Sequence, residues 1–301
     1  MKKFFYEMKA YAKVNLLLDV LMKRQDGFHE LEGIMQSVSL YDVVTLTDSE
    51  DIEVASDVEL PYNNTCRRAA ELFLEGSGKG VRIHVKKNIP SEAGMGGASA
   101  DAAAVLKGLN EVFGDTPLRR SDDELLEIGL KVGADVPFCL MGGCAIARGV
   151  GEELISIKGM RLPLLIVRGS RGVSTAGLFK SLGIGSEKHR RLGDDRLSEA
   201  LKALENNSAE EFAALVGNAL QPAASKTVPE IDEYCRRMME QGALGASMTG
   251  SGAAVFGIFR NTADAEKALR SFEDCDFKAV CGTLTESNYN NIKSGKNIVN
   301  D

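Results

Sequence analysis

Pro90-Ser91-Glu92-Ala93-Gly94-Met95-Gly96-Gly97-Ala98-Ser99-Ala100-Asp101-Ala102-Ala103 is the stretch whose reading decides the fold. It is a loop of small residues that leaves a strand, Val81 to Val85, and opens a helix. From Ser99 to Phe113 the apolar positions Ala102, Val105, Leu106, Leu109 and Phe113 recur at helical spacing. Glycines let the backbone approach a ligand closely, and a helix start offers free N–H groups carrying a partial positive charge. That combination binds phosphate. The alternative is a glycine-lined helix entry that serves backbone packing alone. Two familiar phosphate loops are excluded. A Walker A loop ends in Gly-Lys-Ser/Thr; Gly76-Ser77-Gly78-Lys79-Gly80 has Gly80 in the hydroxyl position and Phe73 where the first glycine belongs. A dinucleotide fingerprint needs a third glycine where Ser99 stands.

Upstream of the loop the chain reads mainly as strands. Val14, Leu16, Leu18 and Val20 alternate with Lys13, Asn15, Leu17 and Asp19, the pattern of a strand with one buried face. Lys13 and Asn15 therefore share the side opposite the apolar set. Val38 to Leu46 is a second strand, and Asn64 or Thr65 caps a helix that ends near Gly76. Downstream, Ser121 and Glu124 form a capping box for a helix running to Lys131, with Gly133 placed to end it. Leu162 to Val167 reads as a buried strand opening a second domain. Helices are expected at Arg196–Glu205, Ala209–Asn218, Pro229–Gln241 and Thr262–Phe272, with strands at Ala253–Phe259 and Lys278–Thr283. Helices and strands interleave without a regular βαβ rhythm, so the expected class is α+β.

Composition narrows the function. The 301 residues suffice for two domains, and 44% hydrophobic with 26% charged content is that of a globular protein. A net charge of -7 argues against a nucleic-acid partner, which needs a clustered basic surface. No stretch approaches the roughly 18 apolar residues of a membrane span. The six cysteines form no CxxC pair and there are three histidines, so neither a zinc site nor a disulfide framework is expected, which suits a reducing cytoplasm.

The quoted loop resembles the P-x-x-x-G-L-G-[GS]-[GS]-S-[AS] signature of the GHMP kinases, named for galactokinase, homoserine kinase, mevalonate kinase and phosphomevalonate kinase. Gly133-Ala134-Asp135-Val136-Pro137-Phe138 resembles that superfamily's acidic catalytic turn. Met248-Thr249-Gly250-Ser251-Gly252-Ala253-Ala254-Val255-Phe256 resembles its second glycine-rich turn. Ala10–Val20, followed by Lys23-Arg24-Gln25-Asp26-Gly27-Phe28-His29-Glu30-Leu31, is similar to the branch whose acceptor is cytidine-diphosphate methylerythritol. The matches run from Ala10 to Phe256 in the superfamily's order. The resemblance implies a two-domain fold. Residues 1–158 form a nucleotide-binding domain like domain 2 of ribosomal protein S5. Residues 159–290 form a ferredoxin-like α/β-plait domain, and 291–301 a flexible tail.

It also implies a bacterial cytoplasmic enzyme with ATP as co-substrate, Mg2+ on the nucleotide, and roles for particular residues. Asp135 becomes the base and Lys13 the cation that pairs with it and polarises the acceptor oxygen; the alternative for Asp135 is a turn cap before Pro137. Pro90, Gly94, Met95, Gly96, Gly97, Ala98, Ser99 and Ala100 would bind the phosphates of ATP, with Gly250, Ser251 and Gly252 closing over them. Asn64 would touch the adenine or simply cap its helix. Asn15 would orient the polyol, Phe28 and His29 would stack on and hydrogen-bond the cytosine, and Thr175 and Phe179 would form the opposite wall. Ala98 and Ala100 depart from the glycine and hydroxyl residues common in relatives; Ala98 is expected to be tolerated at negative φ, and no side chain is assigned to the metal. The competing readings are a kinase for mevalonate or homoserine, set apart by Asp26-Gly27-Phe28-His29, and a non-catalytic nucleotide-binding relative, which would have no use for Lys13 and Asp135.

Overall fold

The computed structural model describes residues 4–285. In chain order its elements are β1 (Phe5–Lys23), β2 (His29–Thr47), β3 (Ile52–Ser56), α1 (Thr65–Leu74), β4 (Val81–Lys86), α2 (Gly97–Val112), α3 (Asp122–Val132), α4 (Val136–Met141), β5 (Cys144–Gly149) and β6 (Glu153–Ile157). There follow β7 (Pro163–Arg168), α5 (Thr175–Ser181), α6 (Arg196–Glu205), α7 (Ala209–Ala213), β8 (Gly217–Asn218), α8 (Gln221–Thr227), α9 (Glu230–Glu240), β9 (Gly245–Met248), β10 (Val255–Ile258), α10 (Thr262–Leu269) and β11 (Phe277–Gly282). The tail expected over 291–301 lies outside the described residues.

The first sheet is built on a long antiparallel hairpin of β1 and β2. One half of β2 carries β4 and then β3, and its other half carries β5 and then β6. One face of this sheet is covered by α1 and α2, where Phe73, Leu106 and Leu109 pack fully buried on Val44, Leu46 and Ile83. Each such side chain stabilises by about 1.5–3 kcal/mol relative to exposure. The second sheet runs β11-β7-β10-β9, antiparallel throughout. Counted within its own stretch that order is 4-1-3-2, the arrangement of a βαββαβ plait.

The two sheets are not independent bodies. β8 adds two residues, Gly217 and Asn218, in parallel to the edge of β1. The Gln36 amide donates to Ser37 O, Gly143 O and Leu284 O at 2.8–3.0 Å, tying the end of the second sheet to the first. A shared apolar core joins Val14 and Leu16 of β1 to Ile166 and Phe256 of the plait.

This shared core corrects two sequence expectations. β1 is not buried on one face alone; every residue from Ala12 to Leu21 is buried, Lys13 and Asn15 included. The plait covers the Val14 and Leu16 face, while Lys13, on the face that the alternation assigned to solvent, is covered by the α2 entry and Asp135. The helix expected over 209–218 stops at Ala213, because Gly217 and Asn218 leave it to pair with β1.

Candidate active site

The α2 entry forms as the glycines require. Gly94 and Gly96 adopt left-handed conformations, φ 70° and 67°. A Cβ on Gly94 would lie 2.1 Å from Thr249 O, so this glycine is what lets the two glycine turns touch backbone to backbone. Gly97 and Ala98 begin the helix, so Ala98 has ordinary helical φ and costs nothing there. Ala100 and Met95 turn inward and are buried; Met95 enters the shared core and anchors the loop through packing, while its backbone remains at the cavity. Thr65 Oγ1 donates to Ala98 O at 2.7 Å, fixing the start of α1 against the start of α2.

Around this loop lie two cavities. The larger, about 900 Å³, extends over Pro90 to Ser99 and reaches Asn64, Thr65 and Lys87. The smaller, about 250 Å³, is lined by Lys13, Asn15, Asp135 and Phe179. Gly94, Gly96, Thr175 and Ser251 line both, so the cavities meet at the glycine turns.

At that junction Lys13 Nζ stands 3.3 Å from Asp135 Oδ2 and donates to Asn15 Oδ1 at 2.7 Å. Lys13 is brought there by its own strand: its amide donates to Met95 O at 3.0 Å, coupling β1 to the phosphate loop. Its aliphatic stem passes Gly96, where a Cβ would sit 3.1 Å from Lys13 Cγ. Asp135 occupies the N-cap position of α4 but makes no capping hydrogen bond. Its carboxylate is one-third exposed, against 5% for the Lys13 side chain. An anion turned from its helix toward a buried cation, open on one side to a cavity, is placed to receive a proton.

The second glycine turn is held from below. Asn218 Nδ2 donates to Met248 O and Gly250 O at 2.9 and 2.8 Å. Thr249, fully buried, accepts the Asn15 amide at 2.9 Å and donates to Gly94 O at 3.4 Å. Ser251 and Thr175 share a hydroxyl contact of 2.7 Å above it. Gly252 also lines the larger cavity.

The residues expected around a nucleobase are partly brought together. His29 stacks on Phe179, ring centroids 5.0 Å apart and planes at 27°. Burial, then the nearby Lys23 and Arg191, hold the imidazole below its ordinary pKa, so it is biased to the neutral form with one donor and one acceptor. Phe28 stands apart from this pair. Asp26 Oδ1 accepts its amide at 3.1 Å in the hairpin turn, and its ring is 63% exposed. Adjacent residues leave the hairpin in different directions, so Phe28 and His29 do not form one stack. Asn64 lines the larger cavity, but its amide is engaged: Oδ1 accepts Arg67 N at 3.0 Å and Nδ2 donates to Pro61 O at 2.9 Å. Asn64 thus caps α1 while lining the cavity.

Sequence reasoning passed over Thr249 and Asn218, and also Lys87 with its two carboxylate partners. Thr249 lay inside a quoted motif, between glycines that drew the attention. Asn218 had no local signal, since its partners lie 30 and 32 residues on.

Comparison with known proteins shows the family of the chain. The family model for the GHMP kinases N terminal domain matches residues 64–143, and that for the GHMP kinases C terminal matches residues 200–277. The chain is 43% identical to the 4-diphosphocytidyl-2-C-methyl-D-erythritol kinase of Caldicellulosiruptor bescii, over 87% of this chain and 92% of that one. A crystal structure of a 4-(cytidine 5'-diphospho)-2C-methyl-D-erythritol kinase superposes with a TM-score of 0.78 at 32% identity, covering 92% of this chain and 98% of that one. The homoserine kinase of Cytophaga hutchinsonii shares the fold at 18% identity, TM-score 0.72, with 95% of each chain covered. Identity of this degree, sustained across nearly the whole length of its relatives, places the chain in the 4-diphosphocytidyl-2-C-methyl-D-erythritol kinase family of the GHMP kinases.

Proposed function

We propose that this chain transfers the terminal phosphate of ATP to the 2-hydroxyl of 4-(cytidine 5'-diphospho)-2-C-methyl-D-erythritol, a step toward isoprenoid precursors outside the mevalonate route. The observation that carries this reading is the junction of two cavities at Gly94 and Gly96, with the Lys13–Asp135 pair beside it. ATP lies in the larger cavity, its phosphates on the amides that open α2. The acceptor lies in the smaller one. Asp135 takes the hydroxyl proton, the freed oxygen attacks the terminal phosphorus, and the bond to the bridging oxygen breaks to leave ADP. Lys13 steadies the acceptor oxygen and Asn15 orients Lys13. The groups that would face the phosphates are amides and the Ser99 hydroxyl, donors suited to phosphate oxygens; a Mg2+ arriving with the nucleotide would neutralise charge on them. No helix among the described residues is long and apolar enough to cross a membrane. With all six cysteines free, cytoplasmic work fits the chemistry.

His29 and Phe179 favour a cytidine-bearing acceptor over mevalonate or homoserine, which have no base to stack. A coupled ADP-release assay tests this: turnover is expected with the cytidine-diphosphate polyol and not with the other two. Equal turnover on mevalonate or homoserine would remove the substrate assignment. The base contact is tested separately. Phe179→Ala is expected to raise the acceptor KM about tenfold, the loss of one stacking contact of about 1.4 kcal/mol. kcat should move less than about threefold, and an unchanged KM would take Phe179 out of the pocket.

A further inference from the structure

Under the phosphate loop lies a charge cluster that the reaction as described does not use. Lys87 Nζ bonds Asp42 Oδ2, and it bonds Asp101 Oδ2 at 2.6 Å. Asp42 is fully buried, Asp101 is 3% exposed, and the Lys87 side chain is 9% exposed. Asp42 is saturated, since its Oδ1 also accepts the amides of Asn88 and Ile89. Asp101 is not: its Oδ1 is buried and has no hydrogen-bond partner. Two carboxylates thus share one ammonium away from water, an arrangement that is unfavourable if both stay charged.

The cluster sits against the nucleotide cavity. Lys87 and Asp101 both line it, and Lys87 Nζ is 3.4 Å from where a Cβ on Gly97 would stand. Asp101 is the fifth residue of α2, one turn below the amides of Gly97 to Ser99. The other titratable groups facing it are thiols, Cys66 from α1 and Cys139 from α4. Burial pushes both thiols up, Cys139 to about 12, so they stay neutral and offer no compensating charge.

From this arrangement we infer that Asp101 is a positioning residue of the nucleotide site, which takes up a proton as a triphosphate docks on the helix turn above it. The inference rests on the nucleotide reading of the larger cavity. The proton comes from solvent and no other bond changes. With Asp101 neutral, one carboxylate no longer opposes the incoming phosphates, and Lys87 is left with Asp42 as its single charged partner. Burial and the neighbouring Asp42, outweighing Lys87, hold the Asp101 carboxyl up at about 7, and a nearby polyanion moves it further toward the protonated form.

Calorimetric titration of the full chain with the magnesium complex of adenylyl-imidodiphosphate, in buffers of differing ionisation enthalpy, tests this. Wild type is expected to take up a fraction of a proton per nucleotide at pH 7, and more as the pH rises to 8, because less of Asp101 is then protonated beforehand. Asp101→Asn mimics the protonated state; it should still bind the analogue, with that uptake lost. Equal uptake in the two proteins, or none in wild type, would overturn the inference while leaving the nucleotide site standing. Failure of the analogue to bind at all would instead remove the nucleotide reading, and this inference with it. Should Asp101→Asn not fold, infrared difference spectra of wild type decide the matter: a protonated-carboxyl band must grow on binding, and its absence ends the proposal.

Discussion

Asp135→Asn is expected to lower kcat by at least about a hundredfold while leaving the affinity for an ATP analogue nearly unchanged. The substitution removes the carboxylate proposed to accept the hydroxyl proton, and a hundredfold corresponds to about 2.7 kcal/mol of barrier. It does so with little structural disturbance. Asp135 makes no capping hydrogen bond to α4, so the helix loses no cap. An amide oxygen in the place of Oδ2 still accepts from Lys13 Nζ, which keeps its bond to Asn15 as well. The nucleotide cavity does not include Asp135 in its lining, which is why analogue binding should survive. Single-turnover measurements separate the chemical step from binding. Full activity in the variant would reduce Asp135 to a local structural residue and leave the reaction without a base. A loss of analogue affinity comparable to the loss of turnover would mean that the carboxylate organises the loop rather than the chemistry.

What was legible in the sequence divides by distance along the chain. The glycine-lined entry to α2, the capping box of α3 and the start of α1 were readable because each is made by residues within a turn or two of one another. Ser121 and Glu124 cap reciprocally, and Asn64 accepts from Arg67. The pairing of Lys13 with Asp135 could be named by resemblance, but nothing local distinguishes it from a solvated lysine and a turn aspartate. The acceptor pocket was readable only in part. His29 meets Phe179 across the hairpin edge, while Phe28, its neighbour in sequence, is exposed. The strand alternation in β1 misled because it cannot see the distant segments, the α2 entry and Asp135 among them, that cover its polar face. Asn15 shows the consequence: its amide is satisfied by Thr249, 234 residues away, a contact that no window of sequence contains. The same holds for Lys87, which follows a regularly alternating strand and reads as a solvated end. Its partners come from β2 and from the first turn of α2.

Gly94→Ala is the second large effect expected, and it tests whether the contact between the two glycine turns is the hinge of the site. Two independent costs fall on this position. A non-glycine residue at φ 70° loses roughly 1–2 kcal/mol to left-handed sterics. In addition the new methyl would lie 2.1 Å from Thr249 O and 3.0 Å from Gly252 N, both backbone atoms that no rotamer change can move. Overpacking of that kind typically costs about 1–3 kcal/mol more. The melting temperature should fall by about 5–15 °C. Because the turns must part to admit the methyl, kcat/KM should fall by at least about a hundredfold, the effect of misplacing reacting groups by about an ångström. Gly242→Ala isolates the first cost from the second. Gly242 has φ 92° at the end of α9, and a Cβ there meets nothing within 4 Å. That variant should lose a few degrees of thermal stability and keep its turnover. If Gly94→Ala and Gly242→Ala behave alike, the approach of Gly94 to Thr249 carries no functional weight, and the two domains meet at the phosphates without needing this contact.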